Sequence, residues 1–191
     1  MNEITVWTKQ HRNVLECLER TGRYTARRAY IDLDLEECAP LVLEVYDWLA
    51  ARLPGRPADA EYPVWLSYTG EAVMLPSPGT AILELRLPEE RITPVNIEKW
   101  GAILNYSYIP RDPQDARRHR KLLEAYGVSD AKAYLTQFYP QIKREIVASW
   151  DRLFDGGVQL GSAAVYGTVW ELRREWVRRV SLPPEDSRDS R

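Results

Sequence analysis

Apolar and polar residues alternate most regularly across residues 80–87. One face of this segment carries Ala81, Leu83, Leu85 and Leu87. The other face includes charged residues, so the pattern predicts a β-strand with one buried and one half-wet side. Shorter β-branched and aromatic runs predict further strands at residues 4–8, 62–68 and 168–173.

A different spacing, with apolar residues three or four apart, predicts helices. The predicted helices cover residues 10–21, 40–53, 114–126 and 140–154, with a short segment at 130–138. Thr93-Pro94 predicts the start of another helix, with Thr93 as N-cap and Ile97, Trp100 and Leu104 facing inward. Gly22 follows the first helix and is expected to end it.

Strands and helices do not alternate regularly along the chain, so the pattern favours an α+β protein over a doubly wound parallel fold. We expect small mixed or antiparallel sheets packed with about four to six helices. Residues 1–181 are predicted to form a single domain, and residues 182–191 a loose polar tail. One core is expected to bury Trp48, Leu83, Leu85, Trp150 and Leu153.

The charge balance changes this picture little. The 191 residues carry a formal net charge of -2, which gives no overall field for nucleic acid or a membrane. The first residues do not look like a signal peptide, so a cytoplasmic protein is expected. Cys17 and Cys38 fit apolar helical positions better than a disulfide or a zinc site, and no metal is expected.

Common catalytic motifs do not occur: there is no Walker A loop, GxGxxG, HExxH or GxSxG. A serine triad would need His11 or His119, and His119 stands in a basic run. That run contains Arg117, Arg118, Arg120 and Lys121. It could bind the phosphates of a nucleic acid or nucleotide, but a solvated helix face is the more common meaning of such a run.

Glu171 is the most suggestive single carboxylate. It falls on the predicted late strand, between apolar neighbours and two residues before Arg173. Such a glutamate can face a cleft, although a routine Glu/Arg pair on a sheet face is also consistent with the pattern. At the end of the second predicted strand, Ser67, Tyr68 and Thr69 could contact a ribose or a base, or could simply lead into a turn.

Several segments resemble a small bacterial domain-of-unknown-function family of about this length. The resemblance lies in Trp-Thr-Lys-Gln at 7–10, Tyr-Pro-Val-Trp at 62–65, Leu-Glu-Leu-Arg-Leu-Pro at 83–88 and Trp-Glu-Leu-Arg at 170–173. The order of elements is more distantly similar to the ADP-ribosyltransferase fold. That likeness implies an NAD-using enzyme acting on a macromolecule or small molecule.

The ADP-ribosyltransferase likeness also assigns roles to residues. Glu171 would be the catalytic carboxylate, which stabilises the oxocarbenium-like transition state as nicotinamide leaves. Thr8 on the first strand and Gln10 just beyond it, with Ser67, Tyr68 or Thr69 on the middle strand, would bind NAD.

Three functional hypotheses follow. The first is this NAD-dependent transferase. The second is a non-catalytic nucleotide- or protein-binding module of the same fold, favoured by the lack of a histidine or arginine on the opening strand. The third, an RNA- or phosphate-binding protein acting through residues 117–121, has the least support because of the net charge.

Overall fold

The computed structural model describes residues 2–28, 39–73 and 75–183 and has an α+β fold, which confirms the predicted class. Its helices of five or more residues are α1 Arg12–Thr21, α2 Ala39–Ala50, α3 Ile97–Leu104, α4 Pro113–Tyr126, α5 Asp130–Leu135 and α6 Pro140–Trp150. Its strands are β1 Glu3–His11, β2 Arg23–Tyr24, β3 Val64–Leu66, β4 Thr80–Pro88, β5 Thr93–Asn96, β6 Val165–Val169, β7 Leu172–Arg173 and β8 Val177–Ser181.

The chain divides into two compact units. The first contains residues 1–94 and 166–191, and the second contains residues 95–165. The division into a domain at 1–181 and a tail at 182–191 stays a prediction. Cys38 and residues 184–191 of the tail lie outside the described residues.

The main sheet of the first unit has the strand order β1-β4-β8, with antiparallel pairing throughout. Its central strand β4 buries the four alternating apolar residues predicted from the sequence, each at 0% exposure. They pack with Val6 of β1 and with Val14 and Leu18 of α1. The alternation therefore identified both the strand and its buried face.

Helix α1 ends where the sequence predicts. Gly22 adopts φ +76°, and its backbone N–H donates to Leu18 O at 2.9 Å. A left-handed residue of this kind suits glycine because other side chains are strained there. At the other end, His11 Nδ1 accepts from Asn13 N at 3.2 Å and caps the helix.

Helix α2 corrects the expected buried face. The spacing of apolar residues predicts one buried face formed by Leu41, Val45, Trp48, Leu49 and Leu53. Val45, Leu49 and Leu53 are buried, but Leu41 is 45% exposed and Trp48 is only half-buried. Leu43 is buried instead. The guanidinium of Arg52 lies 4.3 Å above the Trp48 ring, so this amphipathic ring sits at the boundary of the apolar face.

Thr93-Pro94 does not start a helix, contrary to the prediction. These residues begin β5, and helix α3 starts three residues later at Ile97 with Asn96 as its N-cap. The Asn96 side chain accepts from Lys99 N at 3.0 Å. Proline without an N–H is tolerated in an edge strand, and β5 is an edge strand in the order β3-β6-β5.

The helical face predicted for α3 is also partly wrong. Trp100 is buried, but Leu104 is 38% exposed and Ile97 is half-buried. Ile103 is fully buried. The later start of the helix does not explain this error, because the residues that share a helical face are set by their spacing and not by where the first turn begins.

The second unit is mainly helical. Asp112 caps α4 and Pro113 occupies its first turn, while Gly127 at φ +59° ends it. The spacing of Ile142, Ile146, Trp150 and Leu153 predicts one apolar stripe along residues 140–154. All four are buried, the first three on α6 and Leu153 in the 3-10 turn that follows it. Trp150 and Leu153 belong to the second unit and Leu83 and Leu85 to the first, and all four are buried as predicted. That they share one core stays a prediction.

The predicted late strand is broken into two. Strand β6 ends at Val169 and β7 begins at Leu172, with Trp170 and Glu171 between them. Residues 167–172 are all buried, so Glu171 does not lie on a solvated sheet face. Trp170 Nε1 donates to Pro54 O at 2.6 Å, a contact that holds the interrupted segment against the residues that follow α2.

Candidate functional sites

Glu171 is a buried carboxylate in the break between β6 and β7. Arg23 Nε on β2 donates to Glu171 Oε2, and Arg173 Nε on β7 donates to Glu171 Oε1 at 2.7 Å. Strands β2 and β7 pair with each other in register Arg23↔Arg173, which brings the two arginines to the same carboxylate. Arg23 also pairs with Asp59.

These contacts keep Glu171 ionised. Burial raises the pKa of the Glu171 carboxyl, but the hydrogen bonds from Arg23 and Arg173 outweigh it and hold the pKa below its usual value. At neutral pH both carboxylate oxygens are therefore charged and already accept hydrogen bonds. A catalytic Glu171 needs a carboxylate that is not neutralised by Arg173, and the structure shows a close ion pair between the two residues instead.

A pocket of about 220 Å³ lies beside Glu171 in the first unit. Its apolar walls include Trp170, Trp176, Pro54 and Pro57. The volume is enough for a single planar ring and is smaller than most drug-sized ligand sites. Glu171 thus lines a pocket, as the sequence hypothesis required, but it does so as one side of an ion pair.

Two other charged residues line this pocket. Glu90 and Arg91 lie in the 3-10 helix Glu89–Arg91, and both are exposed. Within the described part of the chain, neither side chain makes an ion pair or a side-chain hydrogen bond. Their charges are consequently available to a ligand, unlike that of Glu171.

Three of the other predicted site residues come together on the first unit. Thr8 Oγ1 donates to Trp65 O at 2.8 Å and accepts from Gln10 Nε2 at 2.7 Å. The backbones of Trp7 and Ser67 exchange two hydrogen bonds, which join β1 to the end of β3. Thr8 is 3% exposed, so its hydroxyl serves the packing of these strands more than the binding of a ligand.

Glu171 is not grouped with these hydroxyls. Strand β3 pairs antiparallel with β6 in register Val64↔Val169 and Leu66↔Gly167. In this register Trp170 lies beyond the first residue of β3, whereas Ser67 follows the last residue of β3. Glu171 and Ser67 are therefore at opposite ends of this short strand. In an extended chain the five residue-to-residue steps from Tyr166 to Glu171 span about 16 Å.

The hydrogen bonds of Glu171 confirm this separation. Among the described residues, they go to Arg23 and Arg173 and not to Ser67, Tyr68 or Thr69. Burial, with a smaller contribution from Glu89, raises the pKa of the Tyr68 phenol, so that this group stays neutral. Thr69 is exposed.

The second unit holds a buried carboxylate that sequence reasoning did not select. Asp115 on α4 is 8% exposed and accepts hydrogen bonds from four residues. The donors are Tyr108 Oη at 2.8 and 3.0 Å, Arg111 N at 2.9 Å, Arg118 Nε at 3.2 Å and Nη2 at 3.1 Å, and Arg152 Nη1 at 3.0 Å. Asp115 therefore links α4 to the loop before it and to the 3-10 turn after α6.

This coordination explains the ionisation of Asp115. Burial alone would raise the pKa of the carboxyl, but the donors Arg111 N–H, Tyr108 O–H and Arg118 lower it to about 2. A carboxylate with so low a pKa is a poor proton acceptor at neutral pH. Its chemistry is to orient the groups around it.

His119, one helical turn after Asp115, belongs to the same cluster. Its ring stacks on Tyr108 with 3.9 Å between centroids, and its Nε2 lies 2.7 Å from Asp130 Oδ1. Its Nδ1 lies 3.4 Å from Glu145 Oε1, and Arg118 also pairs with Glu145. His119 is 4% exposed, so it is a structural member of the helical unit and not an open surface base.

A second pocket, of about 310 Å³, opens beside this cluster. Its polar lining comprises Tyr108, Arg111, Asp115, Arg118, Glu145, Ser149 and Arg152. Three arginines face two carboxylates here, which leaves one positive charge on the lining. In the ranges 2–28, 39–73 and 75–183, no group of three histidine, cysteine or acidic side chains is arranged to hold a metal ion, and no helix could cross a membrane.

Comparison with known proteins supports a family assignment. A model of the family described as a domain of unknown function, DUF3841, matches residues 5–178 of the 191. The chain belongs to the DUF3841 family. No curated protein and no solved structure matches this chain, and none of these comparisons supports the more distant likeness to the ADP-ribosyltransferase fold.

The basic run of this DUF3841 protein has two kinds of residue. Arg117, Arg120 and Lys121 are exposed on α4, as expected of a solvated face. Arg118 differs, because it forms ion pairs with Asp115 and Glu145 and its Nη2 donates a hydrogen bond to Tyr108 Oη. The helical spacing of 115, 118 and 119 was the sequence signal for this cluster, since residues three and four apart share a face.

Proposed function

We propose that this DUF3841 protein is a ligand-binding module and not an ADP-ribosyltransferase. Its ligand in the first unit would be a planar ring that carries an anionic group, such as a mononucleotide. The ring would lie in the pocket walled by Trp170, Trp176, Pro54 and Pro57, and Arg91 would pair with the anionic group.

One observation carries the non-catalytic part of this proposal: both oxygens of Glu171 already accept hydrogen bonds from arginines. A transferase glutamate must hydrogen-bond the nicotinamide ribose and stabilise positive charge as it develops. Here Arg23 and Arg173 supply that positive charge permanently. A carboxylate whose charge is already neutralised by two guanidinium groups attracts a developing cation only weakly.

The choice of ligand rests on the groups left available. Stacking of a base on an aromatic side chain contributes about 1–3 kcal/mol. Arg91 is exposed and lines the pocket, and a guanidinium pairs with a phosphate through parallel N–H···O bonds. Glu90 beside it disfavours a second phosphate, so a monophosphate fits better than a triphosphate.

The test is a comparison of ligands by melting temperature. We expect AMP to raise the melting temperature more than adenosine or nicotinamide does, because only AMP engages Arg91. Arg91→Gln should remove the advantage of AMP over adenosine. Arg20→Gln, an exposed arginine on α1 outside the pocket, is the matched control and should leave it unchanged.

The transferase hypothesis has one observation in its favour, which is that Glu171 lines a pocket at all. It predicts release of nicotinamide from NAD by the wild-type protein and loss of that activity in Glu171→Gln. Such a result would replace the binding-module proposal. NAD binding without release of nicotinamide agrees with the binding-module proposal.

A further inference from the structure

We infer that the pocket of the second unit is a separate binding site for a phosphate group, either free phosphate or a small phosphate monoester. This site does not depend on the function proposed for the first unit. Its recognition elements are the guanidinium groups of Arg111, Arg118 and Arg152, which line one pocket.

The three arginines have different free hydrogen-bond donors. Arg118 uses Nε and Nη2 for Asp115, Tyr108 and Glu145, which leaves its Nη1 outside these contacts. Arg152 uses Nη1 for Ile109 O and Asp115, which leaves Nε and Nη2.

Arg111 has the most freedom of the three. Its backbone N–H donates to Asp115, but within the described residues its guanidinium makes no ion pair or hydrogen bond. The loop that carries it is fixed by this backbone contact and by the cap of α4 at Asp112. An arginine on a fixed backbone with five unused N–H groups is suited to a ligand with several oxygens.

Asp115 makes the arrangement rigid. It is 7% exposed at the side chain and orients Arg118 and Arg152 through charged hydrogen bonds. Two guanidiniums held in place before a ligand arrives lose little conformational freedom on binding, which favours affinity. Tyr108 adds to this by packing beneath Arg152, whose Cζ lies 5.1 Å from the ring centroid.

Charge and size favour a phosphate over other anions. The lining has one net positive charge, from three arginines and two carboxylates, so it attracts an anion without requiring a highly charged one. About 310 Å³ holds a phosphate with a small organic group, and the volume lies at the lower end of ligand pockets. Several donors around one pocket match the oxygens of a tetrahedral anion better than the two oxygens of a carboxylate.

The experiment is isothermal titration of the full chain with inorganic phosphate and, separately, with glycerol 2-phosphate, against sodium chloride of equal ionic strength. We expect saturable binding of phosphate species beyond the chloride control. Tighter binding of the ester identifies a phosphate monoester as the ligand class, and equal binding identifies free phosphate. Saturation by neither compound overturns the inference.

Two variants locate the site. Arg111→Gln should weaken phosphate binding roughly tenfold or more, because a charged hydrogen-bonding partner is lost. Arg111→Lys keeps the charge without the planar fork and should fall between wild type and Arg111→Gln. Arg117 is exposed on α4 and does not line the pocket, so Arg117→Gln should bind as wild type does. Equal losses in Arg111→Gln and Arg117→Gln would mean that the basic surface binds the anion, which overturns the inference.

Discussion

Glu171 in the first unit and Asp115 in the second are both buried carboxylates held by two arginines, yet their surroundings differ. The arginines at Glu171 keep 37% and 41% of their side chains in contact with solvent, and one of them also pairs with Asp59. Asp115 receives a tyrosine hydroxyl and a backbone amide as well, and one of its arginines is only 23% exposed.

This difference indicates what each carboxylate contributes. Near solvent, water can replace a lost ion-pair partner, so the remaining arginines tolerate the loss of Glu171. Around Asp115, Tyr108 and Arg152 have less access to water although Arg118 is 52% exposed, and an unpaired buried donor is costly. We therefore expect Asp115 to contribute more to stability than Glu171 does.

The largest effect is expected for Asp115→Asn. The amide keeps the shape but removes the charge and one acceptor, so that Arg152 and the Arg111 N–H lose a full partner. Removing one member of a buried pair typically costs about 3–5 kcal/mol. Denaturant unfolding measures this loss.

Asp112→Asn is the matched control for this change. Asp112 is the exposed N-cap of the same helix, and asparagine caps a helix about as well as aspartate does. It should change the free energy of unfolding by less than about 0.5 kcal/mol. If both variants are equally stable, Asp115 is not the anchor that its contacts indicate.

A smaller loss is expected for Glu171→Gln. Arg23 retains Asp59, and both arginines are well exposed, so the cost should be about 1–2 kcal/mol, between surface and buried pairs. Glu175→Gln is the control, because Glu175 contacts the same Arg173 at 3.6 Å but is 70% exposed. A loss for Glu171→Gln as large as that for Asp115→Asn would show that solvent access does not separate the two centres.

The same comparison predicts a dependence on acid. The pKa of Asp115 is depressed to about 2, so the folded state binds its proton less readily than the unfolded chain does. Its stabilising contribution is complete above the unfolded value near 4 and is lost as the pH falls from there through 2. This depression of the Asp115 pKa corresponds to a contribution of about 2 kcal/mol to the free energy of unfolding.

Unfolding free energies measured from pH 5 to pH 2 test this. The wild type should lose more stability over that range than Asp115→Asn, which has no carboxyl at this position to protonate. The pKa of Glu171 is also depressed, so Glu171→Gln should flatten the profile in the same direction. Parallel profiles for wild type and Asp115→Asn would contradict the assignment.

The two centres also show how far sequence could go. Local sequence patterns correctly predicted the buried face of β4, the end of α1 at Gly22 and the apolar stripe on α6. Each of these features depends on residues that are close together in the chain. The Arg173 partner of Glu171 was foreseeable for the same reason. Arg23, 148 residues away, was not, since only the pairing of β2 with β7 brings it there.

Asp115 was partly visible in the sequence and was overlooked. Its spacing to Arg118 and His119 places all three on one helical face, but the neighbouring arginines made the segment look like a uniform basic surface. Tyr108 and Arg152 come from other elements and had no local signal. The predicted helix start at Thr93-Pro94 was wrong for a similar reason. Thr93 and Asn96 are both good N-caps, and the pairing of β5 with β6 decides that the helix begins after Asn96.

The smallest effects are expected within the basic run itself. Arg117→Gln and Arg120→Gln should each change the free energy of unfolding by less than about 0.5 kcal/mol, because these side chains are exposed and make no ion pair among the described residues. Arg118→Gln should cost more, about 1 kcal/mol, since it removes contacts to Asp115 and Glu145 although the side chain is 52% exposed. Denaturant unfolding of the three single variants under identical conditions makes the comparison within one helix.

If the three variants lose equal stability, the arginine face of α4 is uniform and Arg118 adds nothing to the Asp115 centre. A steeply salt-dependent RNA affinity that Arg117→Gln and Arg120→Gln weaken would instead give this face a role in binding nucleic acid.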